Sequence, residues 1–282
     1  MEYRKIVYSE KYPDVYLTAY ISGDDPVMKM PPRKAMIVCP GGGYEFLSPR
    51  EAEPIAKKFF AEGFNVFILH YSVAPNAADF APLIQLSLAI TYIRLNSAAF
   101  HIDPEMIFVI GFSAGGHLAA SSGVLWNSGV IRRAVGIGEG GLPEAINKPT
   151  GTVLCYPVIS AGEYAHKGSF DALCGNPKAG REEREPFSLE LHVDENTSPV
   201  FIWHTFTDTC VPVENTILYI QTLAKHKVPF EAHIFPYGRH GLSLATKETW
   251  SQSEERYEPH VQCWFNLALN WLSDFTGNKR NV

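Results

Sequence analysis

A serine hydroxyl is a weak nucleophile near neutral pH. It becomes an effective one where an imidazole takes its proton and a carboxylate holds that imidazole in the right tautomer. The stretch IFVIGFSAGGHLAAS (107–121) offers the serine: Ser113 is flanked by Gly111 and Gly115 at positions −2 and +2. An apolar β-like run precedes it and small helix formers follow, so it sits at a strand-to-helix junction, the context that gives a G-x-S-x-G pattern meaning. Such a turn must be sharp enough to lift the hydroxyl out of a sheet. That strains the serine backbone and brings the residues two before and two after it so close that a Cβ would clash. The following helix aims its free N–H groups and positive dipole end over the serine, making the Ala114 N–H one donor to a developing oxyanion.

A second donor is expected after an earlier strand, and MIVCPGGGYEF supplies a run of three glycines, Gly41 to Gly43, after the strand-like 34–39. The run lacks the G-K-[ST] ending of a phosphate-binding loop. Of ten histidines, His226, His233, His240 and His260 lie beyond the next strong strand end. His226 falls in a helical pattern and His233 in a strand pattern. His240, in the glycine-flanked PYGRHGLS, is free to swing over the strand ends and is assigned as the base; His117, four residues after Ser113, is assigned a structural role. For the carboxylate, FIWHTFTDTCVPVENT sets Asp208 just past a buried strand, where sites in open parallel sheets gather. An Asp there also suits a helix N-terminal cap, and Asp194, Glu195 and Glu214 are its rivals.

These residues need a scaffold that brings strand ends together. Two β-like runs, Tyr3 to Val7 and Val15 to Ile21, are separated by SEKYPD and suggest an antiparallel edge. Then KAMIVC (34–39), a helix over Ala52 to Glu62, FNVFILHY (64–71), a helix over Phe80 to Ala98, and MIFVIG (106–111) before the helix at Ala114 follow in alternation. TVLCYPVIS (152–160), SPVFIWHTF (198–206), a helix over Val213 to His226, FEAHIFPY (230–237) and a terminal amphipathic helix over 257–275 complete it. Near-continuous apolar strands separated by helices predict an α/β fold with a mostly parallel sheet flanked by helices on both faces. Between Ala161 and Ser198 the alternation gives way to a charged segment with Gly and Pro, read as an insertion (161–197) over one end of the sheet within a single domain, 1–282.

The 282 residues are 46% hydrophobic and 19% charged, ordinary for a folded chain that needs no staples. A formal charge of −6 gives no broad positive field for nucleic acid and disfavours anionic membranes. The N-terminus has no apolar run of roughly 7 to 15 residues, and no segment approaches about 18 apolar residues. The expected location is cytoplasmic. Five scattered cysteines without C-x-x-C pairs fit reduced thiols, mostly small buried apolar residues.

CPGGGY, YSVAP, GFSAGGHLAA, TDTCVPVEN and GRHGLSLA, in that order, resemble the α/β-hydrolase superfamily over roughly 34–245. Within it the chain is similar to the small acetyl-esterase and lipase-like group that includes bacterial deacetylases of xylan-type sugars. The resemblance implies carboxylic ester hydrolysis without metal or organic cofactor, with Ser113 as nucleophile, His240 as base, Asp208 as orienter, and Gly42, Gly43 and Ala114 as oxyanion donors. Pro40 stands where the hormone-sensitive-lipase branch has histidine, leaving open which of Gly42, Gly43 and Tyr44 donates. Short acyl esters, acetylated sugars among them, are the expected small-molecule substrates. Tyr44, Tyr156 and Phe206 are the candidate pocket walls, with Tyr164, Phe187 and Trp203 near them. A homodimer is kept open as the assembly. A serine peptidase or amidase, or a hydrolase-fold binding protein without catalysis, are the competing readings.

Overall fold

The computed structural model describes residues 1–23, 27, 29–138, 141–250 and 257–275. Among them eight strands form one sheet: β1 (Glu2–Ile6), β2 (Tyr16–Ile21), β3 (Arg33–Cys39), β4 (Asn65–His70), β5 (Ile102–Phe112), β6 (Gly151–Cys155), β7 (Val200–Thr205) and β8 (Phe230–Phe235). Their order is β1-β2-β4-β3-β5-β6-β7-β8. β1 and β2 make the expected antiparallel edge, and every later pair is parallel.

The central strands are mostly apolar because helices cover both faces; every residue of β6 and β7 is buried, Thr152, His204 and Thr205 included. Alternate residues of each strand go to opposite cores. Ile37 and Val109 join α2 (Ala81–Leu95) and α3 (Ala114–Val124) on one face. Met36, Val38, Phe108 and Ile110 join α1 (Glu53–Ala61) and α8 (Cys263–Ser273) on the other.

Three boundaries differ most from the sequence reading. β6 stops at Cys155, although the apolar run continues to Ser160, because Tyr156 turns to φ 38° and Pro157 has no N–H for a ladder. β5 begins earlier, at Ile102, through a register shift against β3. α8 begins at Cys263, after the turn that holds Pro259. A short helix, α4 (Gly129–Val135), fell inside a stretch not divided further in the sequence. The segment read as an insertion carries two α-helices, α5 (Lys167–Cys174) and α6 (Arg181–Arg184). α7 (Glu214–Lys225) packs beside β7 and β8. No helix among the described residues is long and apolar enough to cross a membrane.

Candidate active site

Ser113 stands between β5 and α3 with φ 54° and ψ −119°, a conformation costly for any residue with a Cβ and held here by its surroundings. Its N–H donates to the Cys155 carbonyl at 3.0 Å, and its own carbonyl accepts from Val158 at 3.1 Å. The flanking glycines explain how the turn closes. A Cβ on Gly111 would come within 2.0 Å of the Gly115 carbonyl oxygen, and one on Gly115 within 2.2 Å of the Cys39 carbonyl oxygen.

The loops after β5, β7 and β8 bring three side chains together at the carboxyl edge. Nε2 of His240 lies 2.8 Å from the Ser113 Oγ, and Nδ1 of His240 donates to Oδ2 of Asp208 at 2.6 Å. With Nδ1 protonated, Nε2 is the acceptor that faces the serine hydroxyl. The two outer loops are stitched to each other: Thr205 and Thr207 hydroxyls donate to the Gly238 carbonyl, and the Gly238 N–H donates back to Thr207.

Asp208 is buried and fully engaged. Its Oδ1 accepts the amides of Cys210 and Val211 at 2.9 and 3.0 Å. A second imidazole, from the fully buried His204 on β7, lies 3.4 Å from Oδ2. Nε2 of His204 is also 2.9 Å from the Val211 carbonyl, which can only accept, so that nitrogen carries the proton. Burial by itself raises the Asp208 carboxyl, but hydrogen bonds from His204 and His240, with their charge, outweigh it and hold it well below the usual carboxylate range. It therefore stays ionised opposite His240.

The glycine run faces this centre. Gly42 and Gly43 adopt φ 126° and 66° and line a cleft of about 450 Å³ with Ser113 and His240. No protein acceptor among the described residues takes their N–H groups, and Ala114 opens α3, where the first N–H groups lack intrahelical partners. Gly41 is different: its N–H donates to Oε2 of Glu51 at 2.9 Å. The other oxygen of this buried carboxylate accepts the Tyr156 hydroxyl at 2.7 Å, which in turn accepts the Ser243 N–H at 2.8 Å. Glu51 thus ties the glycine loop to the loop of His240.

The expected pocket walls are placed otherwise. Tyr44 is buried and donates its hydroxyl to Nδ1 of His117, whose Nε2 donates to the Phe187 carbonyl, so Tyr44 belongs to the core beside α3 and does not line the cleft. Tyr156 is buried behind His240, rings 5.1 Å apart and edge-on, and supports the imidazole from outside the cleft. Phe206 is 67% exposed and also lies outside the lining. In their place stand Glu45, Phe46, Ser48, Arg50, His166 and Cys210. Among the described residues no cluster of three His, Cys, Asp or Glu is arranged to hold a metal ion.

The family profile called BD-FAE matches residues 25–223. The chain belongs to the BD-FAE family. A xylanase, endo-1,4-beta-xylanase B of Butyrivibrio fibrisolvens, is 37% identical over 88% of this chain and 38% of its own length. The acetylxylan esterase of Xylanibacter ruminicola is 25% identical over 89% and 48%. The chain thus spans less than half the length of these two relatives. Among solved structures, an acetyl ester-xyloside bifunctional hydrolase from Caldicellulosiruptor lactoaceticus superposes with a TM-score of 0.78 at 37% identity, covering 92% of this chain and 88% of that one. A carboxylesterase from Lactobacillus plantarum gives 0.80 at 28%, covering 98% and 99%. BD-FAE membership and these neighbours set the chain within the carboxylesterase group of α/β-hydrolases.

Proposed function

We propose that the chain hydrolyses short-chain carboxylic esters, acetylated xylan-type sugars among them, by a Ser113–His240–Asp208 triad through an acyl-enzyme. One observation carries this reading: an unbroken line of hydrogen bonds from Ser113 Oγ through His240 to Asp208, opening on a cleft beside unpaired glycine amides. As Oγ attacks the ester carbonyl, Nε2 of His240 takes its proton and Asp208 stabilises the imidazolium. Negative charge then develops on the carbonyl oxygen, where the N–H groups of Gly42 or Gly43 and Ala114 await it. His240 returns the proton to the leaving alkoxide. Water, activated by the same imidazole, next releases the acid.

The lining favours small acyl groups. Phe46, Pro49 and Cys210 are its apolar side chains, and the remaining lining residues are glycine, polar or charged, so the apolar wall is too small to bury a long acyl chain. The named xylan-active relatives add weight to a sugar as the alcohol. The test is a panel of p-nitrophenyl esters of rising chain length with acetylated xylan, run with wild type and Ser113→Ala. Acetate and butyrate turnover far above laurate, acetate release from the polymer, and fluorophosphonate labelling lost in the variant are expected. Faster cleavage of long chains would overturn the substrate. Cleavage of an aminoacyl anilide in preference to its matched ester would turn the assignment to an amidase, and an unlabelled, inactive wild type would leave a binding protein.

A further inference from the structure

Lining the same cleft as Ser113 and His240 is His166, at the start of α5 in segment 161–197. Its Nδ1 is 2.9 Å from the Ser169 hydroxyl. No protein group among the described residues pairs with its Nε2. A Cβ on Gly43 would lie 3.9 Å from Cε1 of His166, so the ring borders the glycine loop. Burial first, and the charge of His240 second, lower its pKa from the ordinary value, against the pull of Glu45 and Asp208. Both effects favour the neutral ring. Phe46, 58% exposed, sets an aromatic face at the same cleft, with Glu45 and Ser48 beside it.

A neutral imidazole bonded to a hydroxyl has an adaptable second nitrogen. When the Ser169 hydroxyl donates to Nδ1, Nε2 carries the proton and donates outward; when Ser169 accepts, Nε2 accepts as well. An alcohol neighbour is met in either state, whereas an alkyl or aryl leaving group offers nothing to pair. Phe46 complements this, because the C–H face of a pyranose is apolar while its rim is lined with hydroxyls. A polar atom matched in this way discriminates far more strongly than added apolar contact.

We propose that His166 and Phe46 form the subsite for the alcohol half of the ester, with Nε2 of His166 hydrogen-bonded to a free hydroxyl next to the acylated oxygen of a sugar, which makes His166 a specificity-determining residue. This rests on the reading of Ser113 as the nucleophile of an ester hydrolase.

The experiment compares three substrates: a methyl xyloside monoacetate with a free neighbouring hydroxyl, its deoxy analogue lacking that hydroxyl, and p-nitrophenyl acetate. Wild type, His166→Phe and His166→Gln are assayed on each. Because the ring borders Gly43, every rate is expected to move, and the ratios decide. In wild type the deoxy sugar should be at least tenfold poorer in kcat/KM than the hydroxyl-bearing one, mainly through KM. His166→Phe should abolish that difference, and His166→Gln should restore part of it. Equal losses on all three substrates, or a wild type indifferent to the hydroxyl, would overturn the subsite while ester hydrolysis stood. If wild type cleaved none of them, or if Ser113→Ala cleaved them equally well, the reading of the site itself would fail.

Discussion

Asp208 holds two imidazoles on one carboxylate, and the two have different duties. In the proposed mechanism His240 accepts a proton during turnover, whereas His204 is tied on both nitrogens, to Thr216 and to Val211, and serves to fix the carboxylate. Asp208→Asn should therefore keep the fold but let His240 adopt the wrong tautomer, lowering kcat by roughly 10⁴, while Ser113→Ala removes the proposed nucleophile and should lower it by roughly 10⁶. Both are read from single-turnover rates beside an unchanged circular dichroism spectrum. His117 makes a separate pH prediction. Burial lowers it to about 4, against about 6.5 in an unfolded chain, so the unfolded state binds the extra proton between those values. Its contribution, about 3 kcal/mol, is complete above pH 6.5 and is lost as pH falls toward 4. The Asp208 contribution has the opposite origin and is lost only below about pH 4. Urea midpoints at pH 7.5, 5.5 and 4.5 should fall steeply in wild type and more gently in His117→Gln, whose side chain does not titrate.

At the scale of elements, the elbow shows how a turn is specified by what it excludes. Gly115→Ala would drive a Cβ to 2.2 and 2.4 Å from the carbonyl oxygens of Cys39 and Pro40. Both are backbone atoms that cannot step aside, so a loss on the order of 3 kcal/mol or more is expected. Gly23→Ala, with nothing within 4 Å, should leave the melting temperature where it was; one thermal scan of the two variants checks the contrast. This turn was legible because the residues that bear its constraint, Gly111, Ser113 and Gly115, are close in sequence, although the backbone that crowds Gly115 comes from Cys39 and Pro40. The pocket walls were not: whether an aromatic near a strand end faces a cleft depends on its backbone, and Tyr44 and Tyr156 are turned inward at φ 61° and 38°, angles no side-chain pattern discloses. Glu51 was missed for a related reason. It lies ten residues beyond Gly41 in a 3-10 turn, and only the folded chain shows it bridging to Tyr156, 105 residues away. Glu51→Gln exchanges one acceptor for a donor: with its oxygen kept on the Gly41 N–H, its NH2 faces the Tyr156 hydroxyl, whose own proton loses its acceptor, so the link between the two loops is weakened. With either loop shifted by about 1 Å, kcat should fall roughly 10²-fold, at a KM changed far less.

Across the whole molecule, apolar runs and their alternation with helices sufficed to locate the strands and to predict a mostly parallel sheet, because burial on both faces of such a sheet leaves a continuous signal; the order that sets β4 between β2 and β3 is fixed by long-range pairing and was not legible. The loops at its carboxyl edge depend on long-range contacts, as segment 161–197 illustrates: its composition marked it as an insertion over one end of the sheet, but not that His166 would line the cleft. Trp264 links these two levels. It is fully buried on α8, stacked on Trp203 at 5.3 Å and set edge-on to Phe112, which immediately precedes Ser113. Its indole N–H donates to the Ser243 carbonyl at 3.0 Å, so a core side chain holds the loop that carries His240. Trp264→Ala opens a cavity between α8 and the sheet and should cost about 3 to 5 kcal/mol. Trp264→Phe keeps much of the apolar volume but leaves the Ser243 carbonyl without its donor, at about 1 kcal/mol. If the tryptophan both fills the core and positions the loop, Trp264→Phe should lose more kcat than its small drop in melting temperature accounts for, when assayed well below that temperature. A variant that melts earlier but retains full kcat would confine Trp264 to packing alone.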